Sequence, residues 1–294
     1  MTESTAGAGR TIVVMPTYNE RQNLESMAGR IAAAAPDVDL LVVDDNSPDG
    51  TGDLADKIAE ANPRVHVLHR TEKVGLGRAY IAGFGWALER GYDVIVEMDA
   101  DGSHRPEDLP RLLAAVVPGT DAVIGSRYVT GGTVVNWPKS REFLSKGANI
   151  YVRLMLGTSI RDATAGFRAY RGTTLRNIDL NNVESAGYSF QVDLTLRVLQ
   201  AGMTIREVPI TFVERELGAS KMSGAVIRES FFRVAQWGIT AWLHGRTAAS
   251  VRPRGPRRLR GPQRIWGPGS MRAQGVWGLD RPPMSRGPGV MGAG

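Results

Sequence analysis

The sequence predicts an α/β protein whose mostly parallel sheet is flanked by helices. In the first half of the 294-residue chain, short apolar runs alternate with helix-like segments. These runs are apolar throughout, which is typical of strands covered on both faces. A strand that is regularly followed by a helix indicates parallel strands joined by crossover helices. In such sheets, ligands bind at the carboxyl ends of the strands.

Strands and helices alternate strictly in the predicted first half. The strands are residues 11–15, 40–43, 65–68, 94–96 and 122–124. The helices are residues 21–34, 52–61, 76–90 and 107–117. The glycines of residues 73–85, in and before the third helix, do not have the spacing of a phosphate-binding Walker loop. We expect them to allow close packing of that helix.

The second half of the chain is less regular. A Gly- and Pro-containing loop at 131–138 precedes a predicted helix at 140–156, a strand at 166–170 and a helix at 189–200. Residues 203–213 predict either two strands or one strand kinked at Pro209. A polar loop follows at 214–221. The predicted organisation is a flexible amino terminus (1–10), an α/β catalytic domain (11–221), an amphipathic helix (222–245) and a tail (246–294).

The predicted carboxy-terminal helix has one broad apolar face. Its members are Ile227, Phe231, Val234, Ala235, Gly238, Ile239 and Trp242. Two interpretations remain open. The face packs on the core, or it lies in the surface of a bilayer. The chain has no run of 18 apolar residues, so no membrane-spanning helix is predicted.

Positive charge is concentrated in the tail. The net charge is +6, and residues 246–294 contain ten Arg and one Asp, so residues 1–245 carry −3. A mildly acidic folded part argues against a nucleic-acid-binding surface. The tail is rich in Gly, Pro and Arg, and we expect it to be disordered. Contact with anionic lipid or nucleic acid, or no role at all, remain open for it. The chain contains no cysteine, which excludes disulfides and thiolate metal sites.

Two carboxylates follow the fourth predicted strand, with one residue between them. Asp99 and Asp101 lie where this strand leaves the sheet. Paired carboxylate oxygens suit a divalent cation, Mg²⁺ or Mn²⁺, that also holds a diphosphate. A solvated turn is the alternative interpretation. Polar segments also follow three other strands, at residues 16–20, 44–50 and 125–128. Their position at one sheet edge favours a site for a nucleotide-activated substrate.

Taken in order, these motifs resemble the family-2 glycosyltransferases, which have the Rossmann-like GT-A fold. The matching motifs are Pro-Thr-Tyr-Asn-Glu at 16–20, Asp-Asp-Asn-Ser-Pro-Asp-Gly at 44–50, Asp-Ala-Asp at 99–101, Gly-Ser-Arg-Tyr at 125–128, Gly-Phe-Arg-Ala-Tyr at 166–170 and Ser-Lys at 220–221. Their order and spacing are similar to those of the polyprenol (dolichol) monophosphomannose synthase branch. The resemblance extends from about residue 11 to about residue 245.

The resemblance implies a role for each matching residue. The donor-binding residues would be Pro16, Tyr18, Glu20, Val43, Asp45, Asp99, Ala100, Asp101, Arg127, Arg215 and Lys221. The metal would be held by Asp99, Asp101 and Ser103. The acceptor phosphate would be held by Arg127, Arg141 and Ser145. Asp101 and Arg127 would be the catalytic residues. Ser103 stands where some relatives have Gln, which weakens its assignment as a metal ligand. Separately, Asp193 stands where many relatives have Glu.

The implied reaction transfers mannose from GDP-mannose to a polyprenyl monophosphate with inversion. Two alternatives stay open, a family-2 transferase that uses a UDP-sugar and a non-catalytic nucleotide-sugar-binding scaffold. The lipid acceptor implies contact with a membrane surface or a membrane-embedded partner. We therefore expect a peripheral protein at the cytoplasmic face of the cell membrane, with no nucleic-acid partner.

Overall fold

The computed structural model describes residues 9–180, 183, 188–215 and 224–243. The strands are β1 (Thr11–Thr17), β2 (Asp39–Asp44), β3 (Val65–His69), β4 (Val94–Glu97), β5 (Ala122–Ser126), β6 (Thr133–Val135), β7 (Arg168–Arg171), β8 (Ile205–Pro209) and β9 (Thr211–Val213). The helices are α1 (Arg21–Ala34), α2 (Thr51–Ala61), α3 (Leu76–Glu89), α4 (Leu109–Ala114), α5 (Lys139–Leu156), α6 (Gly172–Asn177), α7 (Tyr188–Gln200) and α8 (Gly224–Leu243). Predictions for residues 1–8, Lys221 and the tail 246–294 lie outside the described residues.

Within the described ranges, seven strands form one sheet in the order β3-β2-β1-β4-β7-β5-β8. All neighbours are parallel except for the two pairs that involve β7, which runs antiparallel to β4 and to β5. The predicted mostly parallel α/β sheet is therefore confirmed. The chain passes from β1 outward to β2 and β3, then returns to place β4 on the other side of β1. The crevice between the ends of β1 and β4 is the topological switch point, where ligands bind in open α/β sheets.

Close packing of α3 on the sheet depends on a glycine. A Cβ atom at Gly83 would lie 2.3 Å from Cγ1 of Val14 and 3.2 Å from Cγ2 of Val43. Only a residue without a side chain allows α3 to approach β1 and β2 this closely. The packing role expected for the glycines of this segment is confirmed at this position. It also places the amino-terminal half of α3 beneath the switch point.

Two predictions for local structure were wrong. The predicted loop at 131–138 contains β6, which pairs with β9 in a separate two-stranded sheet. Its partner lies far along the chain, so a local pattern could not reveal it. The predicted helix at 107–117 is a 3₁₀ turn (Pro106–Asp108) followed by α4, which ends at Ala114. Pro118 disfavours a helical backbone at the residue before it, which shortens the helix.

Helices α5 and α8 pack against each other beside the sheet. The rings of Tyr151 and Phe231 stack with centroids 3.8 Å apart. A Cβ at Gly238 would lie 2.6 Å from the carbonyl oxygen of Met155, so this contact requires glycine. Val234 is buried in the adjoining core cluster, whereas Ile239 is 55% exposed. The apolar face of α8 is thus divided between core contact and solvent exposure. No helix in the described ranges is both long and apolar enough to cross a bilayer.

Candidate active site

Side chains at the carboxyl ends of β1 and β2 hold the two following loops together. The hydroxyl of Thr17 donates to Asp44 (2.9 Å). Asp44 also accepts hydrogen bonds from the backbone N–H (3.0 Å) and the hydroxyl (2.6 Å) of Ser47. Asn19 and Asn46 have φ angles of 59° and 56°, a conformation that asparagine tolerates better than most residues. This edge of the switch point is therefore a fixed polar wall.

The predicted nucleotide-binding residues lie along this wall, with different accessibility. Tyr18 has the ammonium group of Lys73 3.8 Å from its ring centroid. The carboxylate of Glu20 accepts a hydrogen bond from Asn23 (2.9 Å). Pro16 and Val43 are register partners in β1 and β2. Because the Val43 side chain is wholly buried against α3, its predicted contact with a nucleotide would have to come from its backbone.

Asp45 is buried at the end of β2 and paired with Arg70. One guanidinium nitrogen of Arg70 donates to its carboxylate at 2.5 Å. Burial raises the pKa of Asp45 above its ordinary value, although the positive charge of Arg70 opposes the rise. A carboxylate held in this way can accept hydrogen bonds from ribose hydroxyls, which agrees with the predicted role.

Asp99 is oriented by two buried groups from different elements. The hydroxyl of Tyr80, on α3, donates to Asp99 Oδ1 (2.7 Å). The backbone N–H of Asp99 donates to His104 Nδ1 (3.0 Å), so this nitrogen carries no proton. The ring of His104 stacks on Phe167 and meets Phe212 edge-on, with centroids 5.4 and 5.6 Å away. Neither Tyr80 nor His104 was given a site role from the sequence.

Asp101 is fixed by Ser103 and paired with Arg215. The backbone N–H and hydroxyl of Ser103 both donate to Asp101 Oδ1, at 3.1 and 2.6 Å. Arg215 lies 3.6 Å from Asp101 Oδ2. Burial opposes ionisation of Asp101, but the hydrogen bonds from Ser103 and the positive charge of Arg215 lower its pKa. Asp101 is therefore ionised at neutral pH. Ser103 contacts a carboxylate in the structure, and its role as a metal ligand stays a prediction.

Asp99 and Asp101 can hold a divalent ion only if a bound substrate supplies further coordinating atoms. Asp99 and Asp101 are hard oxygen donors from one loop, with Ala100 buried between them. No group of three His, Cys, Asp or Glu side chains suited to a metal occurs in the part of the chain that the structure describes. Two carboxylates leave most coordination positions open, which suits an ion whose remaining ligands are diphosphate oxygens and water.

Glu97 lies beneath this pair and contributes little charge. It is wholly buried at the end of β4 and is the register partner of Arg168 on β7. Burial raises the pKa of Glu97 to about 8, with the positive charge of Arg168 opposing the rise. At neutral pH most molecules therefore hold this group protonated. At the end of β4, the negative charge is therefore carried mainly by the partly buried Asp99 and Asp101.

Arg127 is held in a buried ion pair with Asp162. Nε donates at 2.8 Å and Nη2 at 2.6 Å to the two oxygens of Asp162, and the backbone N–H of Arg127 donates at 2.9 Å. Arg127 is 6% exposed and Asp162 is fully buried. The guanidinium carbon lies 5.4 Å from the Phe212 ring centroid, whose other neighbour is His104. Phe212 is therefore a common neighbour of Arg127 and of His104, whose ring contacts the Asp99 loop. Contact of Arg127 with reacting phosphates stays a prediction.

Arg141 and Ser145, one turn apart on α5, both have partners. Arg141 Nη1 donates to both carboxylate oxygens of Glu214, one of them at 2.6 Å, and its guanidinium carbon lies 4.3 Å from the Trp137 ring centroid. The hydroxyl of Tyr128 donates to Ser145 (2.7 Å). Tyr128 is adjacent to Arg127, and the guanidinium carbons of Arg127 and Arg141 lie 5.6 and 4.3 Å from the Trp137 ring centroid, so the three predicted acceptor-phosphate residues lie in one region. Sequence reasoning missed Asp162 and Glu214, because both act through contacts between distant segments.

The sheet, the carboxylate pair after β4 and the arginines near Phe212 and Trp137 define a GT-A transferase that acts on nucleotide-activated sugars. The chain belongs to glycosyl transferase family 2, whose model matches residues 12–178.

Individual relatives agree with this assignment. The chain is 63% identical over 231 residues to a polyprenol monophosphomannose synthase of Mycolicibacterium smegmatis, covering 78% of this chain and 87% of the relative. It is 59% identical over 239 residues to an undecaprenyl-phosphate mannosyltransferase of Micrococcus luteus, covering 81% and 98%. A crystal structure of glucosyl-3-phosphoglycerate synthase from Mycobacterium tuberculosis with Mn²⁺, UDP and glucosyl-3-phosphoglycerate shares the fold, with a TM-score of 0.55, 21% identity and coverage of 81% and 80%.

Proposed function

We propose that this enzyme transfers the mannosyl group of GDP-mannose to the phosphate of a polyprenyl monophosphate. The observation that carries the proposal is the proximity of an ionised carboxylate site to two predicted acceptor arginines. Phe212 lies against both Arg127 and the His104 ring that contacts the Asp99 loop, and Trp137 lies near the guanidinium groups of Arg127 and Arg141. Relatives at 63% and 59% identity, named as polyprenol- and undecaprenyl-phosphate mannose transferases, support the same substrates.

On the donor side, the residues have to stabilise a diphosphate leaving group. Asp99 and Asp101 would hold Mg²⁺ or Mn²⁺, which supplies positive charge to the departing diphosphate. Arg215 lies 3.6 Å from Asp101 and would add fixed positive charge at the same place, together with Lys221. Tyr80 and His104 hold Asp99 in one orientation, so this loop needs little rearrangement as charge develops.

On the acceptor side, the residues have to position an anion rather than activate a hydroxyl. A phosphate monoester is already negatively charged at neutral pH, so its attack needs no strong general base. Arg127 and Arg141 would bind its oxygens, with Ser145 as a further donor. Catalysis then depends on alignment and electrostatics. Attack from the face opposite the leaving group inverts the anomeric carbon and gives a β-linked product.

The acceptor also requires the enzyme to meet a lipid surface. Helix α5, which also carries the predicted acceptor residues, exposes Phe143 (82%) and Leu154 (78%), and the packed helix α8 exposes Phe232 (69%). Large apolar side chains gathered on two neighbouring helices suit shallow insertion at a membrane interface. We propose peripheral attachment at the cytoplasmic face, directly or beside a membrane-embedded partner.

A transfer assay tests the reaction. The full chain is incubated with Mn²⁺, a polyprenyl monophosphate and either radiolabelled GDP-mannose or UDP-glucose. Labelled, β-linked lipid is expected from GDP-mannose alone. Product from UDP-glucose instead would favour the UDP-sugar alternative, and no product from either would favour a scaffold. Asp101→Asn should lower the rate at least about 100-fold. Asp56→Asn is the control, because Asp56 pairs with His69 at the surface.

A further inference from the structure

We propose that Glu214 occupies the acceptor site as a placeholder for the lipid phosphate, and that it thereby sets the affinity for the acceptor. The inference rests on the proposed function, in which Arg141 binds the acceptor phosphate. An incoming phosphate then replaces one anion by another on the same guanidinium group. Without an acceptor, the arginine keeps a partner and the region stays closed.

The contacts of Glu214 resemble those that a phosphate would make. Both of its carboxylate oxygens accept hydrogen bonds from Arg141 Nη1. Carboxylates and phosphates both present paired anionic oxygens that guanidinium groups recognise. The ring of Trp137 lies against the guanidinium of Arg141, which limits its approach directions. Glu214 therefore occupies Arg141 Nη1, one of the donor atoms that an acceptor phosphate would use.

The backbone around Glu214 is anchored on both sides of the site. The N–H of Glu214 donates to the carbonyl of Val135 on β6 (3.0 Å), and the N–H of Val213 donates to the carbonyl of Ser103 beside Asp101 (3.2 Å). The position of the carboxylate is thus set by β9 and the β6–β9 sheet rather than by chance contact of a surface side chain.

Adjacent residues place opposite charges against the two substrate sites. Glu214 pairs with the predicted acceptor residue Arg141, while Arg215 pairs with the metal-site residue Asp101. Each of these partners requires a counter-charge when its substrate is absent. One short segment supplies both counter-charges, which explains why an acidic and a basic residue follow β9 directly.

The Arg141–Glu214 pair is strong enough to compete with an acceptor phosphate and weak enough to be displaced by it. The side chains of Arg141 and Glu214 are 32% and 27% exposed, so solvent screens their attraction. A phosphate dianion carries more charge than a carboxylate and can displace it. Partly exposed pairs of this kind contribute of the order of 1 kcal/mol, which corresponds to an affinity change of about three- to tenfold.

The alternative is that Glu214 holds Arg141 in its active orientation. The two interpretations predict opposite changes in acceptor affinity when the charge of Glu214 is removed. A placeholder lowers acceptor affinity, so its neutralisation tightens binding. An orienting partner raises affinity, so its neutralisation weakens binding.

The test measures binding of a water-soluble, ten-carbon isoprenyl monophosphate to the full chain by calorimetry. Glu214→Gln keeps the shape and removes the charge, and Glu214→Ala is the second variant. Glu142→Gln is the matched control, because Glu142 lies on α5 and pairs with Lys146 at 2.6 Å. Glu142→Gln removes an equal charge from the helix that carries Arg141, and Glu142 does not contact Arg141 Nη1. The corresponding isoprenyl alcohol, which lacks the phosphate, is the control ligand.

Glu214→Gln is expected to lower the dissociation constant about three- to tenfold for the phosphate but not for the alcohol. Glu142→Gln should bind as the wild type does. In turnover, the acceptor KM of Glu214→Gln should fall without a rise in kcat. Unchanged or weaker phosphate binding by both Glu214 variants would overturn the inference while leaving the proposed function intact. If the wild type binds the isoprenyl phosphate no more tightly than the alcohol, the proposed function fails as well.

Discussion

At the scale of single residues, the site depends on groups that orient the carboxylates as much as on the carboxylates. Burial and the negative charge of Asp99 raise the pKa of Tyr80 well above its ordinary value. Its hydroxyl therefore stays protonated and donates to Asp99 Oδ1. His104 accepts from the backbone of the same residue. Partners of this kind determine how well a carboxylate is aimed at an ion.

Replacing Tyr80 by Phe should weaken binding of Mn²⁺ with GDP about tenfold, because Asp99 loses the hydrogen bond that fixes its carboxylate. Titration followed by electron paramagnetic resonance measures the free ion directly. Tyr92→Phe is the matched control. Tyr92 is another buried tyrosine and donates to the carboxylate of Asp39 (2.6 Å), away from the site. Equal Mn²⁺ affinity in the two variants would show that Tyr80 does not orient the ligand.

At the scale of elements, the Arg127–Asp162 pair joins the end of β5 to the segment that precedes β7. Asp162 is itself held, since its backbone N–H and that of Arg161 donate to Glu207 on β8 (2.9 and 2.8 Å). The predicted acceptor-site arginine is thus placed by three neighbouring parts of the sheet. A buried pair of this kind is costly to break from one side.

Asp162→Asn should lower the free energy of unfolding by about 3 kcal/mol, because it leaves a buried guanidinium without its counter-charge. Urea denaturation at neutral pH measures the change. Asp56→Asn removes a half-exposed pair with His69 and should cost less than about 1 kcal/mol. If Asp162→Asn lowers the free energy of unfolding no more than the control does, the charge of Arg127 must be compensated by another group.

A second ion pair links α1 to the turn after the metal-site loop. Two nitrogens of Arg30 donate to the two oxygens of Glu107, each at 2.9 Å. Mainly through this hydrogen bonding, the pKa of Glu107 falls to about 2. An acid whose pKa is lower in the folded state stabilises the fold above its unfolded pKa of 4.5. That stability disappears as the pH falls from about 4.5 to about 2.

Glu107→Gln should therefore destabilise the protein at pH 7 and have no effect near pH 2. The pair is partly exposed, so solvent screening limits the loss at pH 7 to roughly 0.5–1 kcal/mol. Urea midpoints for wild type and variant should converge as the pH falls through that window. A difference that stays constant between pH 7 and pH 3 would show that the charge of Glu107 is not the cause.

The elements that the sequence predicted well are those with a local signal. The five strands of the first half are mainly apolar runs, buried in all but the edge strand β3, and the structure confirms each of them. Strands β6 and β9 could not be predicted as a pair, because only their contact in space makes them a sheet. The same limit applies to the site. Asp99 and Asp101 follow a strand and are visible as a motif, whereas Tyr80, Asp162 and Glu214 matter through contacts with distant residues.

At the scale of the described molecule, the acceptor residues and the exposed apolar face share one helix. Arg141 and Ser145 lie near the amino end of α5, and Phe143 lies between them in sequence. At about 3.6 residues per turn, Phe143 and Leu154 lie about 200° around α5 from Arg141, so the apolar face and the acceptor residues are on opposite sides of this helix. Helix α8 packs on α5 through Tyr151 and Phe231 and exposes Phe232. This pair of helices therefore carries both the predicted acceptor residues and an apolar surface that suits a membrane interface.

Membrane binding should depend on this face at positions away from the acceptor residues. Leu154→Asp combined with Phe232→Asp places a charge on each helix, at side chains that are 78% and 69% exposed. We expect co-sedimentation with anionic phospholipid vesicles to be lost, because burying a carboxylate in the interface opposes insertion. Transfer to a soluble short-chain isoprenyl monophosphate should persist, which separates loss of docking from loss of folding. Val117→Asp alters an exposed apolar residue next to α4 and serves as the control. Vesicle binding by the double variant equal to that of Val117→Asp would exclude α5 and α8 as the attachment surface.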